Sequence, residues 1–199
     1  GASPVGSEHV AGIALGGNQA GVDFGFSFNA IVTIDDGDDV AGNRTVQGSL
    51  RQFIINANAI DNASFGVQSA EFSIAGAGVH TIGLLDPDGF GPLQGELTIT
   101  DAVILDATTQ DGFVSTPLIE IDGTLAGSNS YGLRLEADNS EIRGLIIHRF
   151  TQGGIRVTGD SNLIAGNWLG VDAPGNADAG NASDGVVLVG GATRHTIGG

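Results

Sequence analysis

The chain contains no cysteine, no methionine and no lysine among its 199 residues. The lack of cysteine excludes disulfides and thiolate chemistry. Seven arginines oppose 23 aspartates and glutamates, and the formal net charge is −16. Such a surface repels phosphate groups, so we expect neither nucleic acid nor an anionic membrane surface as a partner.

Long apolar runs are also missing. None approaches the roughly 20 residues that cross a bilayer, so we expect no membrane insertion. The start of the chain has no basic segment followed by an apolar stretch, and no signal peptide is visible. We therefore expect the chain to be an excised piece of a longer protein, separated from its export signal.

Glycine is abundant, with 34 residues, and the 41% of residues that are hydrophobic fall in short clusters. This composition argues against disorder and predicts an all-β chain of many short strands separated by tight turns. The predicted strands are residues 71–74, 81–84, 97–100, 103–105, 118–121, 133–135, 141–147, 155–157, 163–165, 186–189 and 196–197.

The N-terminal segment shows a separate β pattern. Val22, Phe24 and Phe26 alternate with polar residues, as in a half-buried strand. Two strands do not form a stable domain alone. We therefore expect residues 1–30 to be either the tail of a preceding β-module or a docked hairpin. Residues 31–199 are expected to hold a capping loop, a helix and stacked coils of strand.

One helix is predicted, beginning after Ser49. Ser49 is followed three residues later by Gln52, which is the capping-box pattern at a helix start. An apolar stripe at helical spacing follows, made of Leu50, Phe53, Ile54, Ala57 and Ile60. We expect this N-terminal helix to cover the first coil and its exposed strand edge.

An internal repeat determines the expected architecture. The pattern Gly-Leu-Arg-Leu at 132–135 returns 22 residues later at 154–157, and again at 185–188. A second strand pattern recurs along with the first, and its copies lie at 140–144, 161–166 and 194–198. Two strand patterns that advance together indicate a parallel β-helix, a solenoid whose turns stack. The leucine-rich-repeat alternative lacks its Leu-x-x-Leu-x-Leu-x-x-Asn pattern.

Stacking predicts ladders of equivalent residues. We expect Leu133, Ile155 and Val186, and likewise Leu135, Val157 and Leu188, to fill the core, with Ile119 and Ile121 extending these ladders. The outward residues are then Glu120, Arg134, Arg156 and Val187. Two interpretations of Arg134 and Arg156 stay open: a solvated outer strand, or an arginine ladder that binds substrate.

Several carboxylates are candidate calcium ligands. Asp106 and Asp122 fall at equivalent strand ends, so they are predicted to stack, as turn residues, a calcium site or a catalytic pair. Two loops rich in hard oxygen ligands offer further candidates, although neither has the EF-hand pattern. These loop residues are Asp35, Asp36, Asp38, Asp39, Asp172, Asn176 and Asp178. No other cofactor is expected.

The remaining chemistry-bearing residues give weaker signals. The four histidines have no metal-ligand spacing, and we expect His148 at a surface strand end. Trp168 either packs on its own coil or contacts a sugar. No phosphate-binding loop or nucleophile motif occurs, so whether the chain is an enzyme stays open.

Four motifs resemble one known family. Residues 46–54 (VQGSLRQFI) resemble the "GSLRQAI" segment of bacterial surface proteins with right-handed parallel β-helix repeats of the pectin-lyase-like fold. Residues 106–113 are similar to that family's "DGTTQPGY" and residues 166–172 to its "GNxIGTD". Residues 184–186 and 196–199 are similar to its "DGV…NTIGG" ending. Residues 22–28 resemble the last strand of adhesin B-type immunoglobulin-like repeats.

The resemblance implies a modular bacterial protein that is secreted or displayed at the cell surface. It implies a structural or adhesive module, with residues 49–60 capping the β-helix, and its partners would be surface carbohydrate, another surface protein, or a second copy through an open helix end. Because β-helices also serve as enzymes, a polysaccharide lyase or glycoside hydrolase is the alternative.

Overall fold

The computed structural model describes residues 30–32, 48–85, 96–173, 175 and 177–198. The predicted N-terminal strand, the aspartates at 35, 36, 38 and 39, and Asn176 lie outside the described residues. The proposed division after residue 30 falls inside a described strand, and it stays a prediction.

Short strands dominate the described residues, which confirms the predicted all-β class. The strands are β1 (Ala30–Val32), β2 (Gln68–Phe72), β3 (His80–Leu85), β4 (Leu97–Ile99), β5 (Val103–Asp106), β6 (Ile119–Leu125), β7 (Leu133–Leu135), β8 (Glu141–Arg143), β9 (Leu145–His148), β10 (Ile155–Val157), β11 (Leu163–Ala165), β12 (Trp168–Leu169), β13 (Val186–Leu188) and β14 (Thr196–Gly198). Two α-helices, α1 (Leu50–Ala59) and α2 (Asn62–Phe65), and a 3₁₀ turn at Ala107–Thr109 accompany them.

The strands form three parallel sheets. Sheet 1 has the order β1-β2-β5-β8-β11-β14, sheet 2 has β3-β6-β9-β12, and sheet 3 has β4-β7-β10-β13. From β2 onward the chain contributes one strand to each sheet in strict rotation. From β5 onward, each strand therefore pairs with the strand that comes three strands earlier in the chain.

The predicted ladders of sheet 3 are confirmed in register. Ile155 pairs with Leu133 and Val186, and the three side chains lie at one level of the sheet. The prediction that Ile119 and Ile121 extend these ladders is wrong, because both lie in β6 of sheet 2. Leu97 and Ile99 of β4 occupy those positions instead.

The predicted strand 141–147 is two strands in two sheets. The chain turns at Gly144, which has a left-handed φ of 69°. A Cβ there would lie 2.8 Å from Thr108 Cγ2, so both the turn and the close approach favour glycine. Residues on either side therefore belong to sheet 1 and sheet 2.

The inward faces of the three sheets share one hydrophobic core. Its residues include Phe72, Ile82, Leu105, Ile121 and Leu135, all almost fully buried. Asparagines at the corners join successive turns, since each accepts a backbone N–H and donates to a backbone carbonyl of an earlier turn. Asn162 bonds Ser140 N and Ala137 O, Asn167 bonds Leu145 N and Ile142 O, and Asn181 bonds Phe150 N and Ile147 O.

Helix α1 lies against the first strands, as predicted. The Ser49 side chain accepts a hydrogen bond from Gln52 N at 3.2 Å, which satisfies one of the free amides at the helix start. The helix buries Leu50, Phe53 and Ile54 against the core and contacts β1, β2 and β4. The second helix, α2, was not predicted; Asp61 caps it through Ala63 N.

Candidate functional site

The outer face of sheet 3 carries a polar ladder. Thr98, Arg134, Arg156 and Val187 are paired in this order across β4, β7, β10 and β13. We call these four residues the sheet 3 ladder. The predicted neighbourhood of Arg134 and Arg156 is therefore confirmed, whereas Glu120, which was expected beside them, lies in sheet 2.

Arg134 is held by two carboxylates. Its Nη1 lies 3.3 Å from Glu96 Oε2, and its Nε lies 3.7 Å from Glu136 Oε1. The Glu96 side chain is fully buried, and its Oε1 accepts a hydrogen bond from Tyr131 N at 2.8 Å. Burial raises the pKa of Glu96 above its ordinary value, although the Tyr131 amide and Arg134 oppose this rise.

The buried carboxylate makes stability depend on pH. Because the folded-state pKa of Glu96 is raised, its contribution is full below its ordinary value of 4.5 and is lost as the pH rises through the raised pKa. We expect Glu96→Gln to lose less stability than the wild type between pH 4.5 and neutral pH. Urea unfolding at several pH values measures this difference.

Glu136→Gln is the matched control, since it removes the more exposed carboxylate beside Arg134. In this pH range, the free energy of unfolding of Glu136→Gln should change with pH as that of the wild type does. A Glu96→Gln profile parallel to that of the wild type would contradict the role assigned to Glu96.

Arg156 differs from Arg134 in having no bound carboxylate. It is partly buried at the centre of the ladder, between Arg134 and Val187. The charge of Arg156 acts on Glu96 through space, without a salt bridge between them. Within the described part of the chain, Arg156 is the arginine for which the structure shows neither a hydrogen bond nor a salt bridge.

A second polar cluster lies on the outer face of sheet 2. His148 Nε2 is 2.6 Å from Glu120 Oε1, and Thr81 Oγ1 donates to Glu120 Oε2 at 2.6 Å. The expectation of a surface His148 is wrong, because its side chain is fully buried. Its Nδ1 also lies 3.8 Å from Asp122 Oδ1. The cluster thus satisfies buried polar atoms and has no access to a large substrate.

The burial of His148 arises from a segment distant in sequence. Residues 177–181 return to the end of β9, where Arg149 N donates to Ala179 O at 3.2 Å. Trp168 packs against the same excursion of the chain, since a Cβ on Gly175 would lie 2.6 Å from its ring. Trp168 thus has a packing role, and a sugar contact stays a prediction.

The predicted stacking of Asp106 and Asp122 is wrong. Asp106 ends β5 in sheet 1 and pairs with Glu71 and Arg143. Asp122 lies in β6 of sheet 2, where it pairs with His148. Each aspartate directly follows an aliphatic strand residue, Leu105 in β5 and Ile121 in β6, so the local pattern is the same in two different sheets. The two carboxylates therefore belong to different ladders and do not stack.

Both aspartates act in local turns. Asp106 Oδ1 accepts hydrogen bonds from Thr108 N at 3.1 Å and from Thr108 Oγ1. Asp122 Oδ1 likewise accepts from the amide and hydroxyl of Thr124. Such bonds are the ordinary chemistry of aspartate in turns.

The described residues of the second acidic loop behave similarly. Asp172 Oδ1 accepts from Ala177 N at 3.1 Å, and Asp178 Oδ1 accepts from Gly180 N at 3.0 Å. Over the described ranges, no three His, Asp or Glu side chains are grouped so as to hold a metal ion. Calcium binding by any of these loops stays a prediction.

A cleft of about 430 Å³ lies between α2 and the turns after β4 and β7. Asp101, Glu136 and Asp138 line it. Asp101 already accepts hydrogen bonds from the amide and side chain of Asn62, at 3.0 and 2.8 Å. The cleft is acidic and shallow, and the sequence patterns did not single it out.

Comparison with protein-family models, curated proteins and solved structures finds no match. In the part of the chain that the structure describes, no helix has the length and apolar character needed to cross a bilayer. The functional argument therefore rests on the residues themselves.

Sequence patterns missed two residues of these clusters and misplaced a third. Glu96 and Tyr131 meet across 35 positions, and only the strand register brings them together. Glu120 was expected in the wrong ladder. The structure pairs Glu120-Ile121-Asp122 residue by residue with Ile146-Ile147-His148, and no pattern in the sequence marks this pairing.

Proposed function

We propose that this chain is a structural or adhesive module of a secreted or cell-surface bacterial protein. In this proposal the three sheets are the faces of a right-handed parallel β-helix, and α1 caps its first turn. The observation that carries it is the strict rotation of strands among three parallel sheets with a shared core. Parallel crossovers are right-handed in about 98% of cases, which supports the proposed hand.

The outer surface supports a scaffold more than a catalytic role. The polar clusters on sheets 2 and 3 are held by internal bonds, and His148 and Glu96 are buried. Because Asp106 and Asp122 lie in different sheets, they lose the stacking on which the glycoside hydrolase alternative depended. A coil stabilised by its own core and corner asparagines needs no ligand to fold.

Limited proteolysis under native conditions tests the proposal. We expect residues 96–173 to resist cleavage as one unit, because their backbone bonds are cooperative across turns. If the fold needs no calcium, the protein should be cleaved at the same rate in the presence of calcium and in the presence of a chelator. Rapid cutting inside the strands, or release of unsaturated or reducing ends from a panel of acidic polysaccharides, would contradict a purely structural module.

Calcium binding by the acidic loops remains a proposal of its own. A thermal melt with excess chelator and then with millimolar calcium tests it. A rise of several degrees would place ions in these loops, because a ligand that binds only the folded state stabilises it. An unchanged melting temperature would leave the aspartates as turn residues.

We also propose self-association through the end formed by β12, β13 and β14. Leu188 and Ile197 are each 47% exposed there, beside a cleft of about 240 Å³ lined by Ile164 and Leu169. Unpaired strand edges with apolar neighbours favour pairing with another chain. Sedimentation over a range of concentrations should show association, and Ile197→Lys should abolish it.

A further inference from the structure

One corner of the fold carries a column of side chains that join successive turns. It runs from the start of β5 to the residues just before β8, β11 and β14, and its equivalent residues are Val103, Ser140, Asn162 and His195. Val103 N donates to Ser140 Oγ at 3.2 Å, and Ser140 N donates to Asn162 Oδ1 at 2.7 Å. Asn162 N donates in turn to His195 Nδ1 at 3.2 Å. Each turn therefore holds the backbone of the turn before it through one side-chain acceptor.

The acceptor in the last of these bonds differs in kind from the other two. A hydroxyl and a side-chain amide keep an acceptor oxygen through the neutral and mildly acidic range. An imidazole nitrogen accepts a hydrogen bond only while it carries no proton, and both nitrogens of the protonated ring are donors. Histidine is also the side chain whose charge ordinarily changes between about pH 5 and 8. The bond from Asn162 N to His195 is thus the one in this column that a proton can break.

The surroundings of the His195 ring give the protonated form no replacement partner. Because Nδ1 accepts from Asn162 N, the ring proton of the neutral form lies on Nε2. The Nε2 atom is buried and has no hydrogen-bond partner in the described part of the chain. A second proton, on Nδ1, would set two N–H groups against each other and leave both unsatisfied. Unsatisfied buried donors favour local opening of the turn.

The charged groups around this corner are two aspartates and one arginine. Asp160 lies one turn earlier, and its negative charge acts on His195 through space. The Thr193 amide donates to Asp160 and lowers the pKa of that carboxyl, so Asp160 stays charged where histidine titrates. Arg194 pairs with the same carboxylate at 3.0 Å, and Asp138 accepts from Asp160 N at 2.6 Å. Aspartate and arginine ordinarily titrate well outside this range, which leaves His195 as the group that responds to it.

The corner bond holds a strand that has few other attachments. Strand β14 pairs with β11 over three residues, and Thr196 N donates to Asn162 O at 3.0 Å. In the described part of the chain, β14 is the end strand of sheet 1 and has a neighbour on one side only. Opening of the corner therefore loosens β14 and uncovers the edge of β11.

We propose that His195 is a pH-sensitive link between two turns of the coil. The neutral imidazole closes the corner before β14, and the protonated imidazole opens it. The inference goes beyond the structural or adhesive function, since it gives one turn an attachment that depends on pH whether or not the module is adhesive.

Amide hydrogen exchange of the whole chain, followed by NMR at about pH 7.5 and about pH 5.5, tests the link. The protection of the Asn162 amide, corrected for the intrinsic exchange rate at each pH, should fall roughly tenfold or more at the lower pH. The Ser140 amide is the internal control, because its acceptor is the side-chain oxygen of Asn162, and its protection should stay the same. At the higher pH, the nitrogen chemical shifts of the His195 ring should place the proton on Nε2.

His195→Asn is the matched variant, since Asn162 already supplies an oxygen acceptor at the equivalent position one turn earlier. It should keep the Asn162 amide protected at both pH values, whereas His195→Ala should leave this amide unprotected at both. Cooperative melting establishes that each variant is folded. If His195→Ala fails to fold, the comparison of the wild type with His195→Asn still decides.

Four results would overturn the proposal. They are an unprotected Asn162 amide in the wild type at the higher pH, equal protection of that amide at the two pH values, the same loss of protection in His195→Asn, and a ring proton on Nδ1 of neutral His195.

Discussion

Gly159→Ala should lower the free energy of unfolding by about 3 kcal/mol or more. Gly159 is buried in the turn after β10, and a Cβ there would lie 2.1 Å from Ala137 O and 2.4 Å from Ala137 C. Both atoms belong to the backbone of the preceding turn, so they cannot move away like a flexible side chain. The methyl group forces adjacent turns apart, and the corner bonds to Leu135 O are strained with them.

Gly83→Ala is the matched control. Gly83 lies within β3, and a Cβ there would meet nothing within 4 Å. Its replacement should change the unfolding free energy by less than about 0.5 kcal/mol. Urea unfolding followed by circular dichroism measures both variants. Equal stability of Gly159→Ala and the wild type would show that successive turns are not packed as closely as the backbone positions indicate.

Phe53→Asp should unfold or aggregate the protein. Phe53 is 3% exposed on the inner face of α1, where the helix contacts β1, β2 and β4. Removing a buried aromatic side chain costs about 3–5 kcal/mol, and placing an unpaired carboxylate there adds a further desolvation cost. Loss of the helix exposes the apolar end of the core and the edges of the first strands, which favours aggregation.

Ile55→Asp on the same helix separates this effect from a general loss of helix propensity. Ile55 is 46% exposed, so its replacement removes little buried area. We expect Ile55→Asp to melt within a few degrees of the wild type and to elute as the wild type does, whereas Phe53→Asp and the neighbouring Ile54→Asp lose the cooperative melt. If Phe53→Asp melts as the wild type, α1 is not a required cap.

The repeat pattern predicted the strand register correctly where two strand motifs recur together along the chain. The offsets that link 133–135, 155–157 and 186–188 reappear as the register of sheet 3, and those of 141–143, 163–165 and 196–198 as the register of sheet 1. The Ser49 cap and apolar stripe placed α1 within a residue of its observed end. These features are local, since alternation and spacing alone specify which side chains face inward.

The sequence pattern does not show which strands are the neighbours of a given strand in its sheet. Ile119 and Ile121 alternate like every other core pair, and the same period of two occurs in all three sheets, so alternation cannot assign them to sheet 2. The same ambiguity led to the wrong stacking of Asp106 on Asp122. Gly144 likewise divides one apolar run between two sheets only because its left-handed turn redirects the chain.

The sequence by itself determined the all-β class, the helix after Ser49, the inward faces and the register of the best repeats. Only the tertiary structure decided which sheet each strand joins and which polar groups are buried. His148 is buried because residues 177–181 return to β9, and Glu96 because Tyr131 and Arg134 close over it. The burial of these polar side chains depends on segments that are far apart in sequence, whereas a hydrophobic period can be recognised within a few consecutive residues.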